Sequence, residues 1–406
     1  MHSRPRPFDI VHVSSAHPWT DNRIHTRAAT TAAHAGYRTA LVAVDTGGGS
    51  AERAPADWDR PDERSGVWVR RLPRRGRPGR LVVSTVQAVL AALSSRAHVV
   101  HLHDPELAWA VPLLRLARRR VVYDAHEDLP AQVAGKEYLG RIRRVAVPVA
   151  RGVVRLAAHA DAVVAATPTI ALRFPAARTT VVQNLPVLRE SDATLADASG
   201  RPPIAVYLGA LSHDRGIGVV SGVAGSPALP SGWRVCTAGP IDGAVDRRAF
   251  DALCGTGRID HRGVLPPDRA RDLLQTARVG LLPLLPTVAY ASSIPTKLFE
   301  YLAAGLAVIA TDVPYWRELL DDAECVTWVP AGDPDAVVRA LQRYSADPDL
   351  LDAHGRAGRA LVDARFRWDH EAPELLRVYR RLCGAAPFDG YLPSSSSDAD
   401  QNVVSK

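Results

Sequence analysis

The stretch SSIPTKLFEYLAAGLAVIATDVPYWREL, residues 292–319, decides how the rest of the chain is read. It opens as a polar loop, and its spacing predicts a helix from about Pro295 to Ala304, stopped by Gly305. AVIATD then reads as a short buried strand, and VPYWREL starts another helix. Proline suits the first turn of a helix, and the N–H groups of that turn have no partner within the helix, so they attract an anion. Lys297, one of only three lysines in the chain, adds a positive charge there. Glu300 lies one turn further on, and its carboxylate can accept two hydroxyl hydrogen bonds from a ribose. The same spacing also fits a plain surface helix carrying an i, i+3 Lys–Glu pair.

Outward from this stretch the strand–helix rhythm continues in both directions. PIAVYLGAL, WRVCTAGP, IDHRGVL, RVGLLPLLP and CVTWVP read as further strands of the second half. In the first half FDIVHVSS (8–15), YRTALVAV (37–44), HVVHLHD (98–104), VVYDAHE (121–127) and ADAVVAAT (160–167) are strands, with helical stretches at 23–36 and 106–120. Such alternation implies parallel sheets covered on both faces: an α/β chain of two doubly wound, Rossmann-like domains. Ligands would bind at the carboxyl ends of the strands, facing across a cleft. The polar, proline-bounded segment 184–203 is expected to link a first domain at 1–183 to a second at 204–363. The amphipathic pattern ending at Cys383 predicts a closing helix at 364–384, followed by a disordered serine-rich tail at 385–406.

Composition narrows the function classes. Across 406 residues, 47% are hydrophobic and 23% charged, which excludes a disordered chain, a fibre or a small disulfide scaffold. Four widely spaced cysteines, without a CxxC pair, argue against a zinc site and fit reduced thiols in a cytoplasmic protein. No signal-peptide core is visible, and the apolar run 81–93 is shorter than the roughly 20 residues that a spanning helix needs. Residues 1–183 hold 27 Lys+Arg against 15 Asp+Glu, a net of +12, and the remainder 23 against 28, a net of −5. The excess is almost wholly arginine, with no zinc-finger or RNA-binding pattern, so nucleic acid is not the expected partner. There is no GxSxG elbow or P-loop, and the first strand leads into SSAHPWTDN rather than a GxGxxG turn.

PTKLFEYLAAGLAVIATD resembles the donor-site signature of family-four (group 1) glycosyltransferases of the GT-B fold, and the likeness extends over about residues 8–384. HPWTDNRIHTRAATTAAHAGY is similar to the family's first loop and helix, and HLHDPEL and YDAHEDLPAQ occupy the next strand ends. YLGALSHDRG, TAGP and HRGVLPPDRARDLLQTARVGLLPL then follow in the expected order. The resemblance implies a retaining enzyme that moves a sugar from a nucleoside-diphosphate sugar to an acceptor hydroxyl in glycolipid, polysaccharide or other glycoconjugate synthesis. No metal or separate cofactor is expected. It also implies that the final helix crosses back to the first domain.

Carried over residue by residue, the resemblance implies that Glu300 holds the donor ribose. Thr296, Lys297 and Leu298 align with the turn whose backbone amides take the distal phosphate, and Pro295 before them is also a donor-side residue. Arg215 stands where the family usually has a diphosphate-binding lysine, Gly209 allows close backbone approach, and Val264 and Leu265 fall where main chain meets the base. The family's first paired glutamate is replaced by Ser292, and Ala210 stands where an arginine is frequent. His103 matches the histidine whose imidazole or backbone approaches the donor sugar; together with Arg215 and Lys297 it completes the expected catalytic set. His17, Asp21, Arg23, His126 and Glu127 are acceptor-side candidates, although Asp21 also reads as a helix N-cap. Asp104 and Glu106 either bind the acceptor or cap the next helix, capping being the favoured role, and His101 is expected to be structural. The Arg-rich segments 70–80 and 141–156 interleave charge with apolar residues, which suits peripheral contact with the inner face of the plasma membrane and a lipid-linked acceptor. A nucleotide-sugar epimerase of the same fold and a non-catalytic sugar-nucleotide-binding partner are the alternative readings.

Overall fold

The computed structural model describes residues 8–45, 58, 61–135, 140, 142–189, 195–287, 290, 293–321 and 323–383. The tail expected at 385–406 and Ser292 lie outside the described residues. The chain divides into two compact units, one of residues 1–184 with 368–406 and one of Leu185–Arg367.

In the first unit the strands are β1 (Ile10–Pro18), β2 (Thr39–Val44), β3 (Trp68–Leu72), β4 (Val99–Leu102), β5 (Arg120–Ala125), β6 (Ala162–Ala165) and β7 (Thr179–Val181). They form one sheet in the order β3-β2-β1-β4-β5-β6-β7, with every pairing parallel. Val13 lies opposite Val42 on one side and Leu102 on the other, and all three are fully buried. Continuous apolar runs of this kind belong to strands covered on both faces.

The second unit holds β8 (Ile204–Leu208), β9 (Arg234–Ala238), β10 (Ile259–His261), β11 (Val279–Leu282), β12 (Ala307–Thr311) and β13 (Val326–Val329), in the parallel order β10-β9-β8-β11-β12-β13. Both sheets therefore reverse direction after their first three strands, and each has a switch point where ligands bind in doubly wound folds.

Four sequence expectations shift. The linker at 184–203 is largely part of the second unit, because Leu185 and Ala198 are buried in its core; residues 190–194 lie outside the described set. The helical stretch at 106–120 is a short turn, Pro105–Leu107, and a helix, Ala110–Leu116, ended where Arg118 takes φ +59°, with Arg120 already in β5. Strand β7, too short to stand out in sequence, adds an edge to the first sheet. The long pattern through Cys383 is two helices, Pro348–Arg365 and Trp368–Cys383, broken at Phe366. The second of these belongs to the first unit: the Trp368 indole N–H donates to Thr31 Oγ1 at 2.8 Å, and the backbone N–H of Gln183 donates to Glu371 at 2.7 Å.

Candidate functional site

In the second unit three adjacent strands run out into glycine, directly after β8 and β9 and one residue later after β10. Gly209 follows β8, Gly239 follows β9 and Gly263 follows β10, and the ends are tied by Gly209 N–H to Ala238 O at 2.8 Å and Gly239 N–H to Gly263 O at 2.7 Å. Gly209 has φ +132°, and a Cβ there would lie 2.5 Å from Lys297 Cε, 2.7 Å from Lys297 Nζ and 3.6 Å from Arg215 Nη1. Two cationic side chains thus converge on one bare stretch of backbone.

Lys297 sits in the first turn of the helix Thr296–Ala303, whose N-cap, Pro295, supplies no side-chain hydrogen bond to the open amides. The helix is anchored from behind: Leu298 is fully buried, and the buried Tyr301 hydroxyl accepts a hydrogen bond from the Leu208 N–H of β8 at 2.9 Å. Burial, then the neighbouring Arg215 charge, holds the Lys297 pKa below the usual lysine value, while Glu300 opposes the shift. Arg215 Nε donates to the Tyr290 hydroxyl at 3.2 Å, which aims the guanidinium; Tyr290 was not singled out in the sequence. Glu300 is half-buried one turn along the helix, and Thr296 is half-buried beside it. The Val264 side chain is exposed, whereas Leu265 packs on the core. The arrangement suits a phosphorylated anion: backbone amides, a lysine and an arginine around a site that a Cβ would obstruct.

The first unit carries a second polar cluster at the carboxyl ends of β1, β4 and β5. Asp104 is fully buried and is not a side-chain cap, contrary to expectation. Its Oδ2 instead accepts from Ser14 Oγ at 3.0 Å and from the N–H groups of Ser15 and Ala16 at 2.5 and 3.1 Å, and its Oδ1 meets His17 Nδ1 at 2.8 Å. Burial alone would raise the Asp104 pKa, but these donors outweigh it and bring it to about 2. Burial likewise opposes charge on His17, yet the Asp104 bond and charge raise its pKa to about 9, so the imidazolium is the neutral-pH form. The other face of His17 meets His126 edge-on, ring centroids 5.4 Å apart, and Glu127 is exposed beside them.

Arg23 and His103 do not present their side chains as expected. Arg23 is buried and spends its guanidinium on Asp124, with Nε to Oδ2 at 2.9 Å and Nη2 to Oδ1 at 2.6 Å. His103 is fully buried, with Nδ1 2.9 Å from Asp124 Oδ2 and Nε2 2.9 Å from His12 Nδ1, so its imidazole packs beneath the strand ends rather than toward a sugar. Asp21 is the N-cap of the following helical segment, accepting from the N–H groups of Arg23 and Ile24 at 2.9 Å. His101 is structural, its Nδ1 2.8 Å from the Tyr379 hydroxyl.

His12, His101 and His103 bring ring nitrogens within 4.8 Å of one another, the metal-ligand grouping found among the described residues. His12 and His103 are hydrogen-bonded to each other, His103 also to Asp124, and His101 to the Tyr379 hydroxyl, so the three rings are part of the buried polar core; burial, then the neighbouring His103, lowers the pKa values of His12 and His101 well below the usual value. Asp124, like Tyr290, is a residue that sequence reading missed. Its signal was present as a lone carboxylate in the apolar run VVYDA, which demands a buried partner.

Two doubly wound units, one with paired cations around glycine-ended strands, define the GT-B class of glycosyltransferase folds. Residues 22–184 match the model of the glycosyl transferase 4-like domain, and residues 226–377 match a glycosyl transferase-like model. The chain belongs to the group 1, family-four glycosyltransferases. It is 38% identical over 85 residues to the lipopolysaccharide core biosynthesis mannosyltransferase LpcC of Rhizobium leguminosarum bv. viciae, covering 21% of this chain and 24% of that protein. It is 30% identical over 126 residues to the phosphatidyl-myo-inositol mannosyltransferase of Mycobacterium leprae, covering 31% of each. These alignments span less than a third of either relative's length. Anabaena HepE in complex with UDP and glucose superposes with a TM-score of 0.64 at 14% identity, covering 91% of this chain and 98% of that one, which shows the shared fold.

Proposed function

We propose that this chain transfers a glycosyl unit from a nucleoside-diphosphate sugar to an acceptor hydroxyl with retention of configuration. The observation that carries the reading is the placement of Lys297 Nζ and Arg215 against Gly209, at the open N-terminus of the helix Thr296–Ala303. In this reading the second unit binds the donor: Lys297, Arg215 and the first-turn amides take the diphosphate, Glu300 the ribose, and the Val264–Leu265 backbone the base. The bond from the sugar's anomeric carbon to the phosphate oxygen breaks, and its electron pair stays on the leaving diphosphate. The acceptor oxygen forms the new bond on the same face, and its proton passes to a diphosphate oxygen. The two cations stabilise the charge that grows on the leaving group. The first unit supplies the acceptor side through His17, His126 and Glu127.

The acceptor we propose is a lipid-borne glycoconjugate. Support comes from the names of the relatives, one acting in lipopolysaccharide core synthesis and one on phosphatidyl-myo-inositol. The testing experiment is a thermal-shift screen of UDP, GDP, ADP and TDP sugars, followed by acceptor-dependent nucleotide release with the stabilising donor. Lys297→Ala and Arg215→Ala should each lower turnover. Full activity in both would overturn the assignment, and donor binding without nucleotide release would leave a sugar-nucleotide-binding protein instead.

A further inference from the structure

The first unit exposes apolar surface that its fold leaves uncovered. Thirteen large apolar side chains are strongly exposed among the described residues, and eleven lie on three helical segments of this unit; only Leu172 and Val264 lie elsewhere. The segment after β3 exposes Val82, Val86 and Leu90, spaced four apart. The helix Ala110–Leu116 and the residue before it expose Trp109, Leu113 and Leu116. The helix Arg143–Ala157, with Ile142 before it, exposes Ile142, Val145 and Val149, and buries only Ala150 and Ala157.

These segments share one face of the sheet. They connect β3 to β4, β4 to β5 and β5 to β6, steps that all run in the same direction along the sheet, and right-handed crossovers in one direction place their helices on one side. Their inner residues Ala88, Val111 and Ala157 enter the same core cluster. Helices in parallel units run back against the strands, so Val82, Trp109 and Val145 lie at the carboxyl edge of the sheet, the edge that carries His17 and His126. An apolar stripe repeated on three neighbouring helices exceeds the scattered exposure of an ordinary surface.

Charge identifies what covers it. Residues 80–96, 108–120 and 142–158 contain two, four and four arginines, ten in all, and no aspartate or glutamate. Arg80 pairs with Glu106, and Arg115 and Arg120 with Asp161, but Arg143, Arg144, Arg151 and Arg155 form no ion pair among the described residues. A second copy of the chain would set arginine against arginine. We infer that this three-helix face docks on an anionic lipid bilayer, with the aliphatic residues entering the headgroup boundary and the arginines meeting phosphates. It corrects the sequence expectation in part: Arg70 and Arg71 lie on the edge strand β3, and apolar residues of three helices form the face. The inference extends the proposed lipid-borne acceptor, since docking at this edge would bring His17 and His126 to the bilayer surface.

The test is co-sedimentation of the full chain with vesicles of phosphatidylglycerol and phosphatidylcholine, against phosphatidylcholine alone. Binding is expected to the anionic vesicles and to weaken with salt. Val82→Asp with Val145→Asp should abolish it, and Arg144→Gln and Arg151→Gln should each weaken it about fivefold. Thermal melting and donor-induced stabilisation, measured on the same variants, should match the parent and exclude unfolding. A chain that stays in the supernatant, variants that bind like the parent, or a dimer dissociated by Val145→Asp without vesicle binding would each overturn the inference. Vesicle binding requires no turnover, so it stands or falls apart from glycosyl transfer.

Discussion

Lys297 lies so close over Gly209 that a Cβ at position 209 would come within 2.7 Å of the ammonium nitrogen. The glycine is therefore both a backbone at φ +132° and the space in which the lysine charge stands. Gly209→Ala should push the ammonium aside and strain the turn, at a cost of about 1–3 kcal/mol in stability. Turnover should fall about 100-fold, as for loss of one preorganised charge-stabilising group. Steady-state kinetics beside a melting curve check both, and an alanine variant with parental turnover would refute the close-approach argument.

His17 and Asp104 make a stability contribution bounded on both sides by pH. The His17 pKa is raised to about 9, so its share is fully present below the ordinary histidine value and is lost as pH rises toward 9. The Asp104 pKa is lowered to about 2, so its share is present above the ordinary aspartate value and is lost as pH falls toward 2. Melting temperature followed from about pH 6 to about pH 10 should decline more steeply in the parent than in His17→Gln. Parallel curves would show that the imidazolium contributes nothing.

Asp124 joins Arg23 and His103 in the interior, and Asp124→Asn would leave the buried guanidinium without its counter-charge. Breaking one side of such a pair costs about 3–5 kcal/mol. Denaturant unfolding of the variant should show that loss, and a change below about 1 kcal/mol would mean that water replaces the carboxylate.

The last helix should stabilise the first unit specifically. Tyr379 is fully buried with its hydroxyl 2.8 Å from His101 Nδ1, and Leu375 and Leu376 are buried beside it on the same helix. Tyr379→Phe should cost about 1–2 kcal/mol through the imidazole left without its partner. Ending the chain after Arg367 should expose the first unit's core to hydrogen exchange while the second unit keeps its protection, measured by mass spectrometry.

Local sequence determined the elements and their rhythm. The helix expected from about Pro295 is Thr296–Ala303, Gly305 does end it with φ +69°, and AVIAT is a buried strand, because periodicity and glycine conformation act over a few residues. The family motifs were legible for the same reason: each is a short strand end or helix start. Tertiary structure alone decided which polar residues meet. His17 finds Asp104 87 positions away, and Arg23 finds Asp124 101 away, since the sheet order places β1 beside β4 and β4 beside β5. That order also buries His103 and Arg23, which the resemblance assigns to the donor sugar and to the acceptor side. It also leaves Val82, Val145 and Val149 bare. A sequence period shows that residues share a helix face; only the packing of layers shows whether another layer covers it.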